Sequence, residues 1–168
     1  MLIRQASTQD AARIADIGRR SFIQYFMNEG NASELLIYVD KIYAPKALEQ
    51  RMTAENSEFL VADDEGEVQG FAELEWACPE LLPAAKCLKL ERLYLDPTRV
   101  GTGAGALLMK ASIERAEATG CSKLWLQVLR TNTLALLFYE RWGFEEFHRS
   151  PAKFKADREV DLWMSKDI

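Results

Sequence analysis

The sequence has few of the residues that build metal centres and disulfide frameworks. It holds one histidine, His148, and three cysteines, Cys78, Cys87 and Cys121, which have no C-x-x-C spacing. An odd number of cysteines without partner histidines disfavours both a disulfide framework and a structural zinc site. We therefore expect no metal, and we expect the thiols to be reduced and partly buried.

Long apolar runs are also missing. No stretch approaches the roughly 20 apolar residues that cross a bilayer. The N-terminal segment MLIRQASTQD lacks the basic and then apolar pattern of a signal peptide. With 168 residues, 48% hydrophobic and 28% charged, the composition is typical of one globular domain. We expect a single cytoplasmic domain over residues 1–168, without a membrane partner.

Positive charge is scarce between residues 21 and 85. This segment holds thirteen acidic residues and three basic ones, whereas the rest of the chain holds eighteen basic and thirteen acidic residues. Such an asymmetry favours a cationic ligand for the first segment and an anionic one for the rest, unless the acids only cover a solvated turn. No basic stripe stands out, so nucleic acid is not an expected partner.

Hydrophobic periodicity predicts an alternation of strands and helices. The order is a strand, two or three helices, a hairpin, and then β-α-β-α-β-β. Ser7 followed by Asp10 resembles a capping box at the start of the first helix. The predicted fold class is an α/β (α+β) layered domain around a mixed sheet.

The densest local signal is the segment DPTRVGTGAGALLMK, where a strand ends and a helix begins at once. Gly101, Gly103 and Gly105 alternate across this junction. Without side chains in the way, successive backbone N–H groups can converge on one anion, and the helix N-terminus adds its positive dipole end. The segment therefore predicts a pyrophosphate site, with a purely structural turn as the alternative.

Two other nucleotide motifs fit less well. A P-loop requires Gly-Lys-Ser/Thr, but the first lysine after the glycines is Lys110. Gly101, Gly103 and Ala106 do match G-x-G-x-x-A, the dinucleotide pattern. Too few residues follow for the rest of a doubly wound sheet, and the next strand ends in Leu-Arg instead of an acid for the ribose.

A second motif lies on the last predicted helix. Asn132, Ala135 and Tyr139 fall at i, i+3 and i+7, so they share one helix face. Asn132 and Tyr139 are then ~10.5 Å apart along the helix axis. The alternative for Tyr139 is a place in the core beside Phe138, because aromatic residues at helical spacing commonly pack inside.

Together these motifs resemble a known family. LERLYLDPTRVGTGAGALLM followed by WLQVLRTNTLALLFYERWGF resembles the GNAT superfamily of N-acetyltransferases over residues 88–147. Within it, the chain looks most like the branch that acetylates polyamines such as spermidine. The resemblance implies a mixed, mostly antiparallel sheet of about seven strands flanked by four or five helices. It also implies acetyl-CoA as acyl donor, CoA as product, no metal, and a homodimer as a plausible assembly.

The resemblance assigns cofactor contacts to three segments. The strand residues Leu93, Tyr94 and Leu95 would follow the pantetheine arm where the sheet splays open, and Asn132, Ala135 and Tyr139 would line the same arm. The pyrophosphate would be held by the amides of Val100, Gly101, Thr102, Gly103, Ala104, Gly105 and Ala106. The family usually has Gln or Arg where this chain has Val100, and Arg99 is one place early. A side-chain contact is therefore lost or relocated, whereas amide contacts do not depend on it.

The resemblance also implies the catalytic groups. Tyr139 would be the general acid that protonates the departing thiolate. A primary amine, with a pKa near ~10.4, must lose a proton before it attacks, and a carboxylate can take that proton directly or through water. Glu91 is the best candidate, since regular alternation places it on the same strand face as Leu93. The alternative is that Glu91 only forms ion pairs with Arg92 or Lys89.

The acceptor site is expected to be aromatic and acidic. Tyr25, Phe26 and Tyr38 belong to the helical segment that borders the acceptor in this family. Glu73 and Glu75 share a face of the hairpin strand and are the alternative carboxylates for recruiting a cation. We therefore expect a small-molecule amine acceptor, such as a polyamine. Acetylation of protein lysines or N-terminal amines, and a non-catalytic acyl-CoA-binding regulator, are the alternative functions.

Overall fold

The computed structural model describes residues 1–26, 32–82, 85–152 and 160–168, without the side chains of Tyr25 and Phe26. Seven strands and five helices lie in these ranges, together with two short 3-10 turns, Thr8–Asp10 and Pro97–Arg99. The strands are β1 (Leu2–Gln5), β2 (Ser57–Asp64), β3 (Glu67–Glu75), β4 (Cys87–Leu95), β5 (Lys123–Leu129), β6 (Glu145–Pro151) and β7 (Val160–Asp167). The helices are α1 (Ala11–Phe26), α2 (Ala32–Ile42), α3 (Pro45–Met52), α4 (Ala104–Ala118) and α5 (Thr133–Arg141).

All seven strands belong to one sheet. Their order is β1-β2-β3-β4-β5-β7-β6, so the last two strands of the chain exchange places. Every neighbouring pair is antiparallel except β4 and β5, which are parallel. The predicted mixed, mostly antiparallel sheet is therefore confirmed. A break predicted at residues 28–31, after the first helix, lies outside the described residues.

The two faces of the sheet bury separate clusters of apolar side chains. One cluster joins α1, α2 and α3 to the sheet and includes Ile14, Val39, Leu48 and Phe71. The other joins α4 to the sheet and includes Leu88, Leu108, Met109, Leu124 and Leu126. In the part of the chain that the structure describes, no helix is long and apolar enough to cross a bilayer.

The N-terminal capping signal is present in the structure. The Ser7 N–H donates a hydrogen bond to the Asp10 carboxylate at 2.7 Å. Arg4 donates two further bonds to the same carboxylate, at 2.8 and 2.9 Å. These bonds, led by those from Arg4, lower the pKa of Asp10 to about 2. The carboxylate thus ties β1 to the start of α1.

The β2–β3 hairpin accounts for part of the acidic segment. Its turn, Glu65-Gly66, has positive φ at both residues (56° and 91°), as a two-residue turn of type I′ requires. Asp63 lies beside this turn and pairs with Arg4 at 2.8 Å. The acidic run at residues 63–67 therefore belongs to a hairpin tip that contacts solvent.

Candidate functional site

The centre of the sheet opens between its two parallel strands. Pairing between β4 and β5 is confined to Cys87 with Lys123, Leu88 with Leu124, and Lys89 with Trp125. Beyond these pairs the strands part and leave a cavity of about 300 Å³. It is lined by Phe22, Tyr38, Lys89, Leu90, Glu91, Arg92, Leu93, Tyr94, Gln127, Val128, Leu129, Asn132, Ala135, Tyr139 and Asp161. A strand edge at the centre of a sheet offers backbone donors and acceptors to a ligand.

A β-bulge shapes the β4 wall of this cavity. Opposite β3, Glu73 pairs with Arg92 and Leu74 pairs with Leu90, so Glu91 is an extra residue in the strand. After the bulge, Leu93 packs on the same apolar cluster as Leu90. Glu91 instead contacts Lys89 at 2.6 Å and Arg92 at 3.5 Å. The predicted common face of Glu91 and Leu93 is therefore wrong, because the inserted residue interrupts the alternation.

Of the three predicted strand residues of the cofactor site, two line the cavity and Leu95 does not. Leu93 and Tyr94 line the cavity. The Tyr94 ring packs edge-on against Phe71 at 5.8 Å, and burial raises the pKa of Tyr94 to about 12. The Leu95 carbonyl accepts a hydrogen bond from the Ser21 hydroxyl at 3.0 Å. One of the backbone acceptors near the end of β4 is thus already used within the protein.

Asp96 fixes the end of β4, and sequence reasoning missed it. Its carboxylate caps the 3-10 turn by accepting bonds from the Thr98 N–H at 2.9 Å and the Thr98 hydroxyl at 2.7 Å. It also accepts bonds from Arg13 at 2.6 Å and Arg20 at 2.5 Å, both on α1. Burial alone raises the pKa of Asp96, but these bonds outweigh burial and hold it well below its usual value. An Asp directly before a proline is a local capping signal.

The glycine turn adopts a left-handed backbone at two of its three glycines. Gly101 and Gly103 have φ of 87° and 89°, and Gly103 is the N-cap of α4 in the left-handed region. The first N–H groups of α4 therefore begin directly at the turn, where they lack intrahelical acceptors. The Val100 side chain is 71% exposed. Arg99 forms an ion pair with Glu67 at 3.6 Å.

The predicted helix face lies at the other wall of the cavity. Asn132, Ala135 and Tyr139 all line it. Asn132 caps α5, because its side-chain oxygen accepts a bond from the Ala135 N–H at 3.2 Å. The Tyr139 ring packs against Phe138 at 5.6 Å and Phe144 at 5.8 Å. Tyr139 thus packs against the aromatic core and also lines the cavity. Its interpretation as a core residue and its interpretation as a residue of the site are therefore compatible.

The structure separates the three candidate carboxylates. Glu91 lines the cavity, whereas Glu73 and Glu75 do not. Glu73 is 4% exposed and forms ion pairs with Arg92 at 2.6 Å and Arg51 at 3.4 Å. Glu75 lies at the end of β3, with its carboxylate accepting a bond from a neighbouring asparagine at 3.3 Å. Of these three, Glu91 alone is placed to meet a ligand in the cavity.

The remaining wall is aromatic and holds one acid that sequence reasoning missed. Tyr38 lines the cavity beside Phe22, with 5.5 Å between the ring centroids. Tyr25 and Phe26 lie in the last turn of α1, and their side chains are outside the described residues. Asp161, on β7, also lines the cavity. It pairs with Leu129 of β5, and no local sequence signal predicts this register.

A mixed sheet that parts beside a glycine turn and a helix N-terminus offers unpaired backbone groups to an extended anionic ligand. The model of the acetyltransferase (GNAT) family matches residues 22–144. The chain therefore belongs to the GNAT family of acetyltransferases, which confirms the family resemblance and identifies an acetyl-CoA-dependent N-acetyltransferase.

Known proteins that match over most of their own length support this assignment. The chain is 32% identical over 152 residues to Uncharacterized N-acetyltransferase YhfO of Bacillus subtilis (strain 168), covering 87% of this chain and 91% of the relative. It is 26% identical over 159 residues to Uncharacterized N-acetyltransferase Mb2688 of Mycobacterium bovis, covering 95% and 98%. The crystal structure of PaiA N-acetyltransferase from Thermoplasma acidophilum with coenzyme A superposes with a TM-score of 0.80 at 20% identity, covering 99% and 98%. That last likeness concerns the fold, and none of the three names states a polyamine acceptor.

Proposed function

We propose that residues 1–168 act as one domain that transfers an acetyl group from acetyl-CoA directly to a primary amine of a small cationic acceptor, such as a polyamine. One observation carries this proposal: Tyr139 and two carboxylates, Glu91 and Asp161, line the same cavity at the parted strands. A proton donor, a proton acceptor and a second anionic group are thereby available around one reacting centre.

The residues at the parted strands fit a CoA thioester. The turn from Val100 to Ala106 combines two positive-φ glycines with the N-terminus of a 15-residue helix, which suits a diphosphate. The open edge of β4 offers backbone hydrogen bonds to the amide groups of a pantetheine arm. Asn132 and Ala135 flank that arm from α5. When bound, acetyl-CoA supplies an activated acetyl thioester to the cavity.

Glu91 is the group that we propose to take the amine proton, directly or through a water molecule. Its carboxylate is held by Lys89 at 2.6 Å and by Arg92 at 3.5 Å. Lys89 is itself placed over the Trp125 ring, 4.9 Å from its centroid. These contacts fix the position of the carboxylate at the bulge, where its side chain still borders the cavity. Ion pairing and proton transfer are therefore compatible at this residue.

Tyr139 is the group that we propose to donate a proton to the departing thiolate. Its ring is held between Phe138 and Phe144, which limits the positions of its hydroxyl. The described residues that line the cavity include no cysteine or serine that would carry the acyl group. We therefore propose direct transfer between the two substrates, without an acetylated protein side chain.

The proposed acceptor class rests on two carboxylates and two aromatic rings of the cavity wall, which also holds Lys89 and Arg92. Glu91 and Asp161 approach from β4 and β7, and Tyr38 and Phe22 add aromatic faces that attract cations. Among the described residues, none of the acids between positions 21 and 85 lines the cavity. Since Glu91 is the proposed proton acceptor, we propose that Asp161, which approaches from β7, binds the second ammonium group of a diamine or polyamine.

A panel of acceptors tests this proposal through thiol release from acetyl-CoA. The panel contains a diamine, spermidine, a neutral arylamine, an amino acid and a lysine-containing peptide. Loss of one charged hydrogen bond costs about 1.5–3 kcal/mol. Asp161→Asn should therefore raise the KM for the diamine by about 10- to 100-fold and leave that for the arylamine nearly unchanged.

Asp167→Asn is the matched control for that variant. Asp167 lies on the same strand, and its side chain is 84% exposed. It should leave both KM values unchanged. Preference of the wild type for neutral or peptide acceptors, or an equal effect of Asp161→Asn on every amine, would contradict the proposed acceptor class.

Tyr139→Phe tests the proposed general acid. Removing the hydroxyl should lower turnover by ~10²-fold or more, because proton donation contributes that much in such reactions. CoA affinity, measured by calorimetry, should remain close to that of the wild type. Tyr43→Phe is the control, since the Tyr43 hydroxyl is buried without a hydrogen-bond partner among the described residues and lies outside the cavity. Equal turnover of the Tyr139 variant and the wild type would exclude this role.

A further inference from the structure

A buried carboxylate lies one strand away from the proposed base. Glu73, on β3, is 4% exposed, and it is not among the described residues that line the cavity. Its carboxylate accepts a hydrogen bond from the Arg92 guanidinium at 2.6 Å. Acidic side chains are seldom buried to this degree unless they are paired. Neither acceptor binding nor the glycine turn requires a carboxylate at this place.

Arg92 connects this carboxylate to the cavity. Its side chain is 9% exposed and lines the cavity. Nη1 lies 2.6 Å from a Glu73 oxygen, and Nη2 lies 3.5 Å from a Glu91 oxygen. A guanidinium group is planar and rigid, so it can hold two carboxylates at once in one geometry. Glu73 can therefore act on the cavity through Arg92 without touching a ligand.

Two further cations extend this row of charges. Nε of Arg51, on α3, lies 3.4 Å from the other Glu73 oxygen. Nζ of Lys89 lies 2.6 Å from the other Glu91 oxygen. Basic and acidic groups thus alternate in the order Arg51, Glu73, Arg92, Glu91 and Lys89. Each carboxylate has a cation on both sides, and Arg92 lies between the two carboxylates.

Proton transfer to Glu91 changes this balance of charge. When the ammonium group of the acceptor gives up its proton, an N–H bond breaks and its electron pair stays on the nitrogen. The proton then binds a Glu91 oxygen, directly or through water, and the side chain becomes neutral. Arg92 thereby loses one of its anionic partners, and a buried cation without a partner is costly. Glu73, at 2.6 Å, remains as the partner of Arg92.

We propose that Glu73 is a positioning residue of the acetyl transfer, which keeps Arg92 paired and in place while Glu91 accepts the amine proton. This inference rests on the proposed role of Glu91 as proton acceptor. Glu73 acts through Arg92 and contacts neither substrate. Loss of its charge should therefore slow the transfer, whereas binding of the amine and of CoA should stay nearly the same.

Glu73→Gln tests this inference, because it keeps the size of the side chain and removes its charge. The full-length variant is assayed at neutral pH by thiol release from acetyl-CoA, with the panel amine that the wild type acetylates fastest. Calorimetric titration with CoA counts the folded molecules, so that kcat refers to these alone. The kcat should fall by about 10- to 100-fold, the range for one hydrogen bond to a charged group, while the KM for the amine stays close to that of the wild type.

Arg92→Met reveals whether Glu73 acts through Arg92. The double variant with Glu73→Gln and Arg92→Met has no guanidinium at this place that could lose its partner, so it should turn over faster than Glu73→Gln. Adding Glu73→Gln to Arg92→Met should leave kcat unchanged, and this comparison remains available if Glu73→Gln alone does not fold. Independent structural damage would instead make the two losses add.

Arg51→Met is the matched control, since it removes a cation from the other oxygen of Glu73 and not from Glu91. It should leave kcat close to the wild-type value. Glu91→Gln separates this inference from the role on which it rests, because wild-type turnover of that variant would show that Glu91 is not the proton acceptor. If Glu91→Gln is slow, the role of Glu73 alone is refuted when Glu73→Gln keeps the wild-type kcat, raises the KM instead, or slows Arg92→Met further.

Discussion

The left-handed residue at the start of α4 allows a sharp test of the glycine turn. Gly103 has φ of 89°, and a Cβ added there would meet nothing within 4 Å. Gly103→Ala therefore introduces backbone strain without a steric clash within the protein. A side chain in the left-handed region costs roughly 1–2 kcal/mol. That strain corresponds to a factor of about 5–30 in an equilibrium constant.

The backbone strain of Gly103→Ala should lower either the free energy of unfolding or the affinity for CoA. If the turn keeps its geometry, the free energy of unfolding of the free protein should fall by about 1–2 kcal/mol, as measured by urea denaturation. If the turn relaxes instead, stability is preserved, and CoA affinity, measured by calorimetry, should fall by about 5–30-fold. The losses in stability and in binding free energy should together amount to about 1–2 kcal/mol.

Gly105→Ala is the matched control two residues further on. Gly105 lies in the first turn of α4, and a Cβ there would lie 3.5 Å from the Leu95 side chain, an ordinary contact distance. This variant should stay within about 1 kcal/mol of the wild type in stability and should bind CoA equally well. If Gly103→Ala changed neither quantity, or if both variants lost affinity equally, the conformational explanation of the turn would be refuted.

Two further predictions concern the framework of the site. Asp10→Asn should lower the free energy of unfolding by about 1.5–3 kcal/mol at neutral pH, because it removes one of the two charged partners of Arg4. Since folding lowers the pKa of Asp10 from 3.8 to about 2, its contribution is complete above about pH 5 and is lost as the pH falls towards 2. The difference in urea unfolding should therefore shrink between about pH 5 and pH 2, and a constant difference would argue against the Arg4 pair. Gly70→Ala would place a Cβ 2.7 Å from the Tyr94 carbonyl. It should therefore lower the free energy of unfolding by about 1–3 kcal/mol and weaken CoA binding. Unchanged calorimetric affinity and melting temperature would show that β3 and β4 can separate without consequence.

Local signals predicted most of the fold. Periodicity distinguished strands from helices because each apolar face packs on the sheet, as at Leu108 and Leu124. The glycine turn was recognisable because Gly101 and Gly103 satisfy a backbone demand that few other residues meet. The seven-stranded mixed sheet is confirmed, whereas the roles of the cofactor and catalytic residues remain predictions. Sequence order alone also left open which carboxylates would reach the cavity.

The features that sequence reasoning missed depend on distant contacts. Glu73 was a candidate for the acceptor site, but the register of β3 and β4 directs it to Arg92 inside the protein. The bulge at Glu91 reverses a regular alternation that the sequence alone would suggest. Asp161 reaches the cavity only through the pairing of β7 with β5. Pairing partners and bulges arise from the whole sheet, so no window of neighbouring residues encodes them.

The short parallel contact between β4 and β5 has a consequence for how long the enzyme survives. Only three residue pairs join β4 to β5. A molecule bound along β4 and against α5 would therefore add contacts at the strand pair that has the fewest. Binding to the folded chain alone stabilises it by about 2.7 kcal/mol when the free ligand is at about 100 times its Kd. Resistance to heat and to proteases should consequently rise and fall with the supply of the acyl donor, and a starved cell would hold a shorter-lived enzyme.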